Sequence, residues 1–159
     1  MEAEDENHHF TDKEFNSEEN FILSFQRIKK SYKKLWVQTR KKWGLTQSEI
    51  DLLLFLKNHP NFDTEVDIAR GCSLSRSLVC KSVEELLNSQ YLIVQTDKQD
   101  RRYLHLKLTE KAKAVLPELE AQKQQFWNLI QGGITAEEKK QFMNTLGKMN
   151  DNLEKVMRS

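Results

Sequence analysis

One change of period constrains this chain more than any other feature. Nearly everywhere, apolar residues return at the three- and four-residue spacings of a helix; over residues 91–108 they alternate instead. Tyr91-Leu92-Ile93-Val94-Gln95-Thr96 reads as one strand. Tyr103-Leu104-His105-Leu106-Lys107-Leu108 reads as a second, with Leu104, Leu106 and Leu108 on one face. Between them lies a charged hairpin tip, Asp97-Lys98-Gln99-Asp100-Arg101-Arg102. The expected fold class is mainly α with a small β-hairpin wing.

The helices around this hairpin carry their own boundaries. Residues 18–43 read as one long helix whose seam is Phe21, Phe25, Ile28, Tyr32, Leu35 and Thr39, ended by Gly44 at a C-cap. Thr46-Gln47-Ser48-Glu49 is a capping box opening a helix over 47–58, with Ile50, Leu53, Leu54, Leu56 and the stem of Lys57 turned inward. Asn58-His59-Pro60-Asn61 breaks it. Thr64 caps a short third helix, with Asp67 at the return position and Ile68 and Ala69 inward. After Gly71-Cys72-Ser73-Leu74, Ser75 caps a fourth over 76–88, buried along Val79, Val83, Leu86 and Leu87. Thr109 caps a fifth over 110–131, in which Pro117 predicts a kink or a restart. Gly132-Gly133 stop it. Thr135-Ala136-Glu137-Glu138 boxes a sixth, to about 157, with a seam of Phe142, Leu146, Met149, Leu153 and Val156.

A length of 159 residues allows one domain with helical extensions. The apolar fraction of 38% is low for a chain of long helices, and a second subunit would complete the burial. Net charge is +1, yet residues 1–20 carry eight acids and one lysine, so the remainder is basic. A basic body suits an anionic partner. Residues 1–17 are expected to be a disordered acidic tail. Between Arg27 and Lys42 stand eight bases and no acid, either a solvated helix face or a long-range contribution to a field that attracts anions. No apolar run approaches 18 residues, no secretory leader precedes Cys72 and Cys80, and the two lack CxxC spacing. The expectation is a soluble, cytoplasmic, nucleoid-associated protein with reduced thiols.

Two short helices joined by a tight turn present the second as a rod that fits the major groove of DNA. The stretch Ser75-Arg76-Ser77-Leu78-Val79-Cys80-Lys81 has the required form, an apolar back and a polar, basic front. Arg76 and Lys81 can reach guanine acceptors or phosphates, Ser77 either, and Leu78 or Cys80 a thymine methyl. The helix start at Ser75 favours a phosphate, and Thr64 heads the preceding helix close by. An arginine at the hairpin tip can enter the minor groove while an aspartate holds the loop; Asp100, Arg101 and Arg102 offer one acid and two bases for those tasks. The fold is thus a winged helix-turn-helix over 46–109, with its recognition helix at about 75–88 and its wing at about 91–108, flanked by helices at 18–45 and 110–159.

At this point the sequence resembles the MarR family of bacterial transcription regulators, over about residues 20–157. The most specific segment is DKQDRRYLHLKLTEKA, residues 97–112, which looks like the family's wing. LSRSLVCKSVEELL, residues 74–87, is similar to its recognition helix, and ITAEEKKQFMNTLGKM, residues 134–149, to the start of its last dimerisation helix. The resemblance implies a homodimer interlocked through its first and last helices, here Phe21, Phe25, Ile28, Phe142, Leu146, Met149 and Leu153. It implies a ligand-responsive repressor on a pseudo-palindromic operator, with Arg102 in the minor groove, Asp100 ordering the loop and Arg101 on phosphate. It also implies a small-molecule effector between the dimer arms and the DNA-binding core, where Tyr32, Trp36, Phe55 and Leu116 are candidates; core packing is their other reading. No cofactor is required.

The chain departs from the family in three places. Gln90 stands where members usually have glycine after the recognition helix, Pro117 interrupts the fifth helix, and the first helix lacks the reactive cysteine of the redox-sensing branch. Cys72 reads as a small buried residue. Cys80 faces outward, as a DNA contact or an oxidisable thiol. The His8-His9 pair is too small a ligand set for a metal site. His59 and His105 read as solvent-facing, without acidic neighbours at ligand spacing. No nucleophile elbow, phosphate-cradling loop or HExxH is present, so neither an enzyme nor a metal centre is expected. The rival reading is a winged-helix protein-interaction adaptor that has lost DNA binding; the basic tip argues against it.

Overall fold

The computed structural model describes residues 17–97, Asp100 and residues 104–158. In chain order the elements are α1 (Ser17–Leu35), α2 (Val37–Trp43), α3 (Gln47–Asn58), α4 (Glu65–Gly71), α5 (Arg76–Asn88), β1 (Leu92–Thr96), β2 (Leu104–Leu108), α6 (Glu110–Ile130) and α7 (Ala136–Arg158). The acidic segment at 1–16, including His8 and His9, and Lys98, Gln99, Arg101, Arg102 and Tyr103 of the hairpin lie outside the described residues. Two compact units result, one reaching Gln122 and the other starting at Lys123.

In the first unit α3 is the central helix. Ile50, Leu52, Leu53, Leu54 and Leu56 are all buried, because α4, α5 and β2 each pack on it. The sequence pattern turns only one face of α3 inward and so passes over Leu52. Lys57, whose stem the pattern also turns inward, is exposed and pairs instead with Glu120 of α6. The capping boxes at Thr46 and Thr64 form as expected, with Glu49 and Asp67 returning to the cap backbone.

Residues 18–43 do not form one helix. The ladder breaks at Trp36, whose side chain is fully buried in the core. The break frees backbone groups, and Gln122 of α6 takes one of them. Its Nε2 donates to the Leu35 carbonyl over 2.8 Å, and its Oε1 accepts from the Thr39 hydroxyl. A long-range amide thus satisfies the gap that a continuous helix would have closed itself. Pro117 has the opposite outcome. α6 continues through it with no restart, held on the core side by Val115, Leu116 and Leu119.

Helix ends use left-handed residues at Gly44 (φ 66°), Ser73 (φ 53°) and Gln90 (φ 62°). At Ser73 the amide of Leu74 returns to the Ala69 carbonyl, and at Gln90 that of Tyr91 returns to Leu86, the six-to-one bond of a Schellman motif. Gln90 therefore adopts the conformation that a glycine would supply. The fold survives the departure at the cost of a left-handed side-chain-bearing residue.

The hairpin pairs antiparallel with Leu92 opposite Leu108, Val94 opposite Leu106 and Thr96 opposite Leu104. Only Leu106 of the three β2 leucines is fully buried; Leu104 is 52% exposed because the hairpin reaches past the core. The outer edge of β2 is tied down by the α3–α4 loop, where the Leu106 amide donates to the Asp63 carbonyl over 2.8 Å. Thr109 closes the base: its hydroxyl reaches the carbonyls of Gln90 (2.8 Å) and Tyr91 (3.1 Å) and accepts from the Ala112 amide.

The second unit is the end of α6 and α7. Thr135 and Glu138 form the expected capping box, and its backbone bond holds the Glu138 carboxyl below its ordinary range. Phe142, Met149, Leu153 and Val156 are exposed along one side of α7. Among the described residues, no helix is long and apolar enough to cross a membrane.

Candidate nucleic-acid interface

α4 and α5 pack against each other, and their burial decides what faces outward. Val79, Ser82, Val83 and Leu86 of α5 point into the core, where the Ser82 hydroxyl donates to Ser48 of α3 over 2.9 Å. That leaves Arg76, Ser77, Leu78, Cys80 and Lys81 exposed. Ser75 is also exposed, and its hydroxyl accepts from the Leu78 amide as the N-cap. One rod therefore offers two cations, hydroxyls, an apolar side chain and a thiol on its outer, N-terminal half. Thr64 is engaged otherwise: its hydroxyl both accepts from the Asp67 amide and donates to the Asp67 carboxylate, so its first task is the cap.

At the wing, Asp97 is the organiser that the sequence reading missed. Its Oδ1 accepts from the Asp100 amide over 2.8 Å, an Asx-type turn that starts the tip. The signal was available, since an aspartate three residues before another polar tip residue is a turn former. Asp100 is half-buried; Arg101 and Arg102, assigned above to phosphate and minor groove, lie outside the described residues.

His105 corrects a second expectation. It is not a bare surface histidine without acidic neighbours. Its Nδ1 lies 2.6 Å from Oδ1 of Asp63, 42 positions away in sequence, and its Nε2 lies 3.2 Å from Oδ2 of Asp97. Hydrogen bonds to Asp63 and then Asp97 outweigh partial burial and raise its pKa above the ordinary 6.5. Burial would raise the Asp63 carboxyl, but hydrogen bonds from His105 and Lys107 and their charges prevail and hold it below 3.8.

The four effector candidates separate. Trp36 and Leu116 are buried in the core at 0% and 2% exposure. Phe55 is half-buried against Gly71, and Tyr32 is half-buried with its hydroxyl 3.4 Å from Asp51. Burial and the Asp51 charge push the Tyr32 pKa up to about 12. The open space nearby is a cleft of about 600 Å³ whose lining includes Lys29, Lys33, Gln47, Asp51, Cys72 and Lys81. Cys72 is half-buried and Cys80 exposed. His59 is exposed, its ring tilted against Phe55 and edge-on to Phe62. Among the described residues no cluster of His, Cys, Asp and Glu could hold a metal ion.

Helix, tight turn, second helix with a polar front and a hairpin behind it follow one another within residues 47–108. Residues 43–102 match the model of the MarR family. The winged helix is of the MarR family. The MarR-type architecture extends past the matched segment. S. aureus MepR in complex with DNA superposes with a TM-score of 0.77 at 19% identity, covering 87% of this chain and 99% of that one. A MarR protein from Peptoclostridium difficile gives 0.76 at 20% identity over 93% and 95%. BpsR of Bordetella bronchiseptica, whose DNA binding is regulated by 6-hydroxynicotinic acid, gives 0.69 at 23% over 86% and 97%. At these identities the likeness is one of fold, a mainly helical chain with a two-stranded wing.

Proposed function

We propose that this MarR-family chain is a transcription regulator that binds duplex DNA as a homodimer, with α5 in the major groove and the wing in the minor groove. The observation that carries the reading is the front of α5: Arg76, Ser77, Leu78, Cys80 and Lys81 stand exposed on a helix whose back is buried. Arg102 is assigned to the minor groove, Arg101 to phosphate and Asp100 to ordering the loop. The MepR–DNA complex, which shares the fold, supports DNA as the partner.

Homodimerisation is supported by the apolar side chains that the single chain leaves exposed, Phe21, Phe25 and Ile28 on α1 and Phe142, Met149 and Leu153 on α7. Leu146, half-buried, lies in the same α7 seam. Response to a small molecule is supported by BpsR, whose DNA binding is regulated by 6-hydroxynicotinic acid; release of DNA by the ligand would relieve repression. In this chain the cleft lined by Lys29, Lys33 and Asp51 is one open space that could take it.

The test is a binding titration on the DNA upstream of the chain's own gene, followed by a footprint. Two protected half-sites about one helical turn apart are expected, with affinity falling steeply with salt. Arg102→Ala should lose on the order of 1–3 kcal/mol. Binding that is indifferent to sequence, to salt and to this substitution would remove the reading.

A further inference from the structure

His105 joins two parts of the fold that no other described side chain bridges in this way. Asp63 belongs to the α3–α4 loop, Asp97 directly follows β1, and both present carboxylate oxygens to the same imidazole. A neutral imidazole has one N–H donor and an imidazolium has two. Two carboxylate partners can both be satisfied only by the imidazolium. We propose that His105 is a positioning residue for the wing, a proton-dependent clasp that holds Asp97, and through it the wing tip, to Asp63.

Each end of the clasp is anchored. Asp63 is nearly buried, its carbonyl takes the Leu106 amide, and its second carboxylate oxygen takes the Lys107 ammonium. Asp97 uses its other oxygen to hold the Asp100 amide at 2.8 Å. A continuous path therefore runs from the α3–α4 loop through β2 into the tip. Among the described residues, the charged groups facing His105 are Asp63 from the α3–α4 loop, Asp97 just after β1 and Lys107 on its own strand. A cleft of about 560 Å³, lined by Pro60, Gln95 and these side chains, opens the ring to water, so protons can exchange.

The sign follows from the raised His105 pKa. Below the ordinary value of 6.5 the clasp is closed. As pH rises through the higher folded-state value, one of the two bonds is lost. The longer link, to Asp97, gives way before the 2.6 Å bond to Asp63. The hold of Asp97 on the Asp100 amide then loosens, and the grip on DNA weakens. This last step rests on the DNA-binding reading; the clasp itself does not.

The full chain tests both. Long-range proton–nitrogen spectra follow the His105 ring from pH 5.5 to 9 without DNA, alongside hydrogen exchange of the Asp100 amide, corrected for intrinsic rates. His105 is expected to titrate above 6.5, with Asp100 exchange accelerating roughly three- to tenfold in step. Operator affinity should fall by a similar factor over the same span. His105→Gln should flatten that profile near its high-pH value. Asp97→Asn discriminates further: removing a negative charge near DNA would tighten binding by field alone, whereas losing the clasp weakens it. Exchange at Asp100 that ignores the His105 titration, or Asp97→Asn binding more tightly, would overturn the proposal. If exchange follows the titration but no DNA is bound at any pH, the clasp stands and the DNA reading falls.

Discussion

The side-chain amide of Gln122 donates to the backbone carbonyl of Leu35 over 2.8 Å, at the point where the first long helix breaks. The same amide accepts from the Thr39 hydroxyl. Gln122→Leu keeps the bulk and leaves both partners unsatisfied beside the buried Trp36. Urea unfolding should show a loss of about 1–3 kcal/mol with the slope unchanged. A loss below a few tenths would mean that water replaces the amide at no cost.

Phe55 occupies the space that a β-carbon on Gly71 would need. Alanine there gains about 1 kcal/mol of helix propensity but must displace the ring, which costs about 1–3 kcal/mol. Gly71→Ala alone should therefore be destabilising or neutral. In a Phe55→Leu background, where the ring is gone, the same change should stabilise. The sign reversal between the two backgrounds is the measurement.

Gln90 holds a left-handed backbone at φ 62°. Gln90→Gly should raise stability by about 0.5–1 kcal/mol, since relief of strain exceeds the entropy of the added glycine. Gln90→Val should be destabilising, because branching at Cβ is least tolerated there. Thermal melts of the two variants should move in opposite directions.

Asp63 and His105 define opposite limbs of the stability profile. His105, with its raised pKa, contributes fully below 6.5 and loses that contribution as pH climbs through its folded value. Asp63, with its lowered pKa, contributes above 3.8 and loses it as pH falls through its folded value. Asp63→Asn should flatten the acid limb and reduce the alkaline one, since His105 loses its nearest carboxylate. A parallel downward shift of the whole curve would show that the residue acts only by packing.

Phe142 and Leu153 lie on the exposed apolar side of α7. Phe142→Glu with Leu153→Glu should move sedimentation from dimer to monomer. Cooperative unfolding of the first unit should be retained, because neither residue belongs to its core.

Much of the winged helix was legible in the chain. Thr46, Thr64, Ser75 and Thr135 mark helix starts through contacts three residues away, and alternation marks the strands; these are local codes. The front of α5 followed from the same periodicity, since identifying Val79, Val83 and Leu86 as buried leaves Arg76 and Lys81 outward. Leu52 escaped because a helix packed on several sides loses its amphipathic signature.

By itself, then, the sequence determined the type of most of the elements and the polar front of α5, because each depends on residues within one or two turns of one another. The tertiary structure alone decided where Trp36 breaks a helix, why α6 passes through Pro117, and that His105 meets Asp63 and Asp97. Those outcomes depend on partners brought together across the fold, Gln122 for the break and Asp63 for the histidine. No local spacing encodes such a meeting; only the packed core makes it possible.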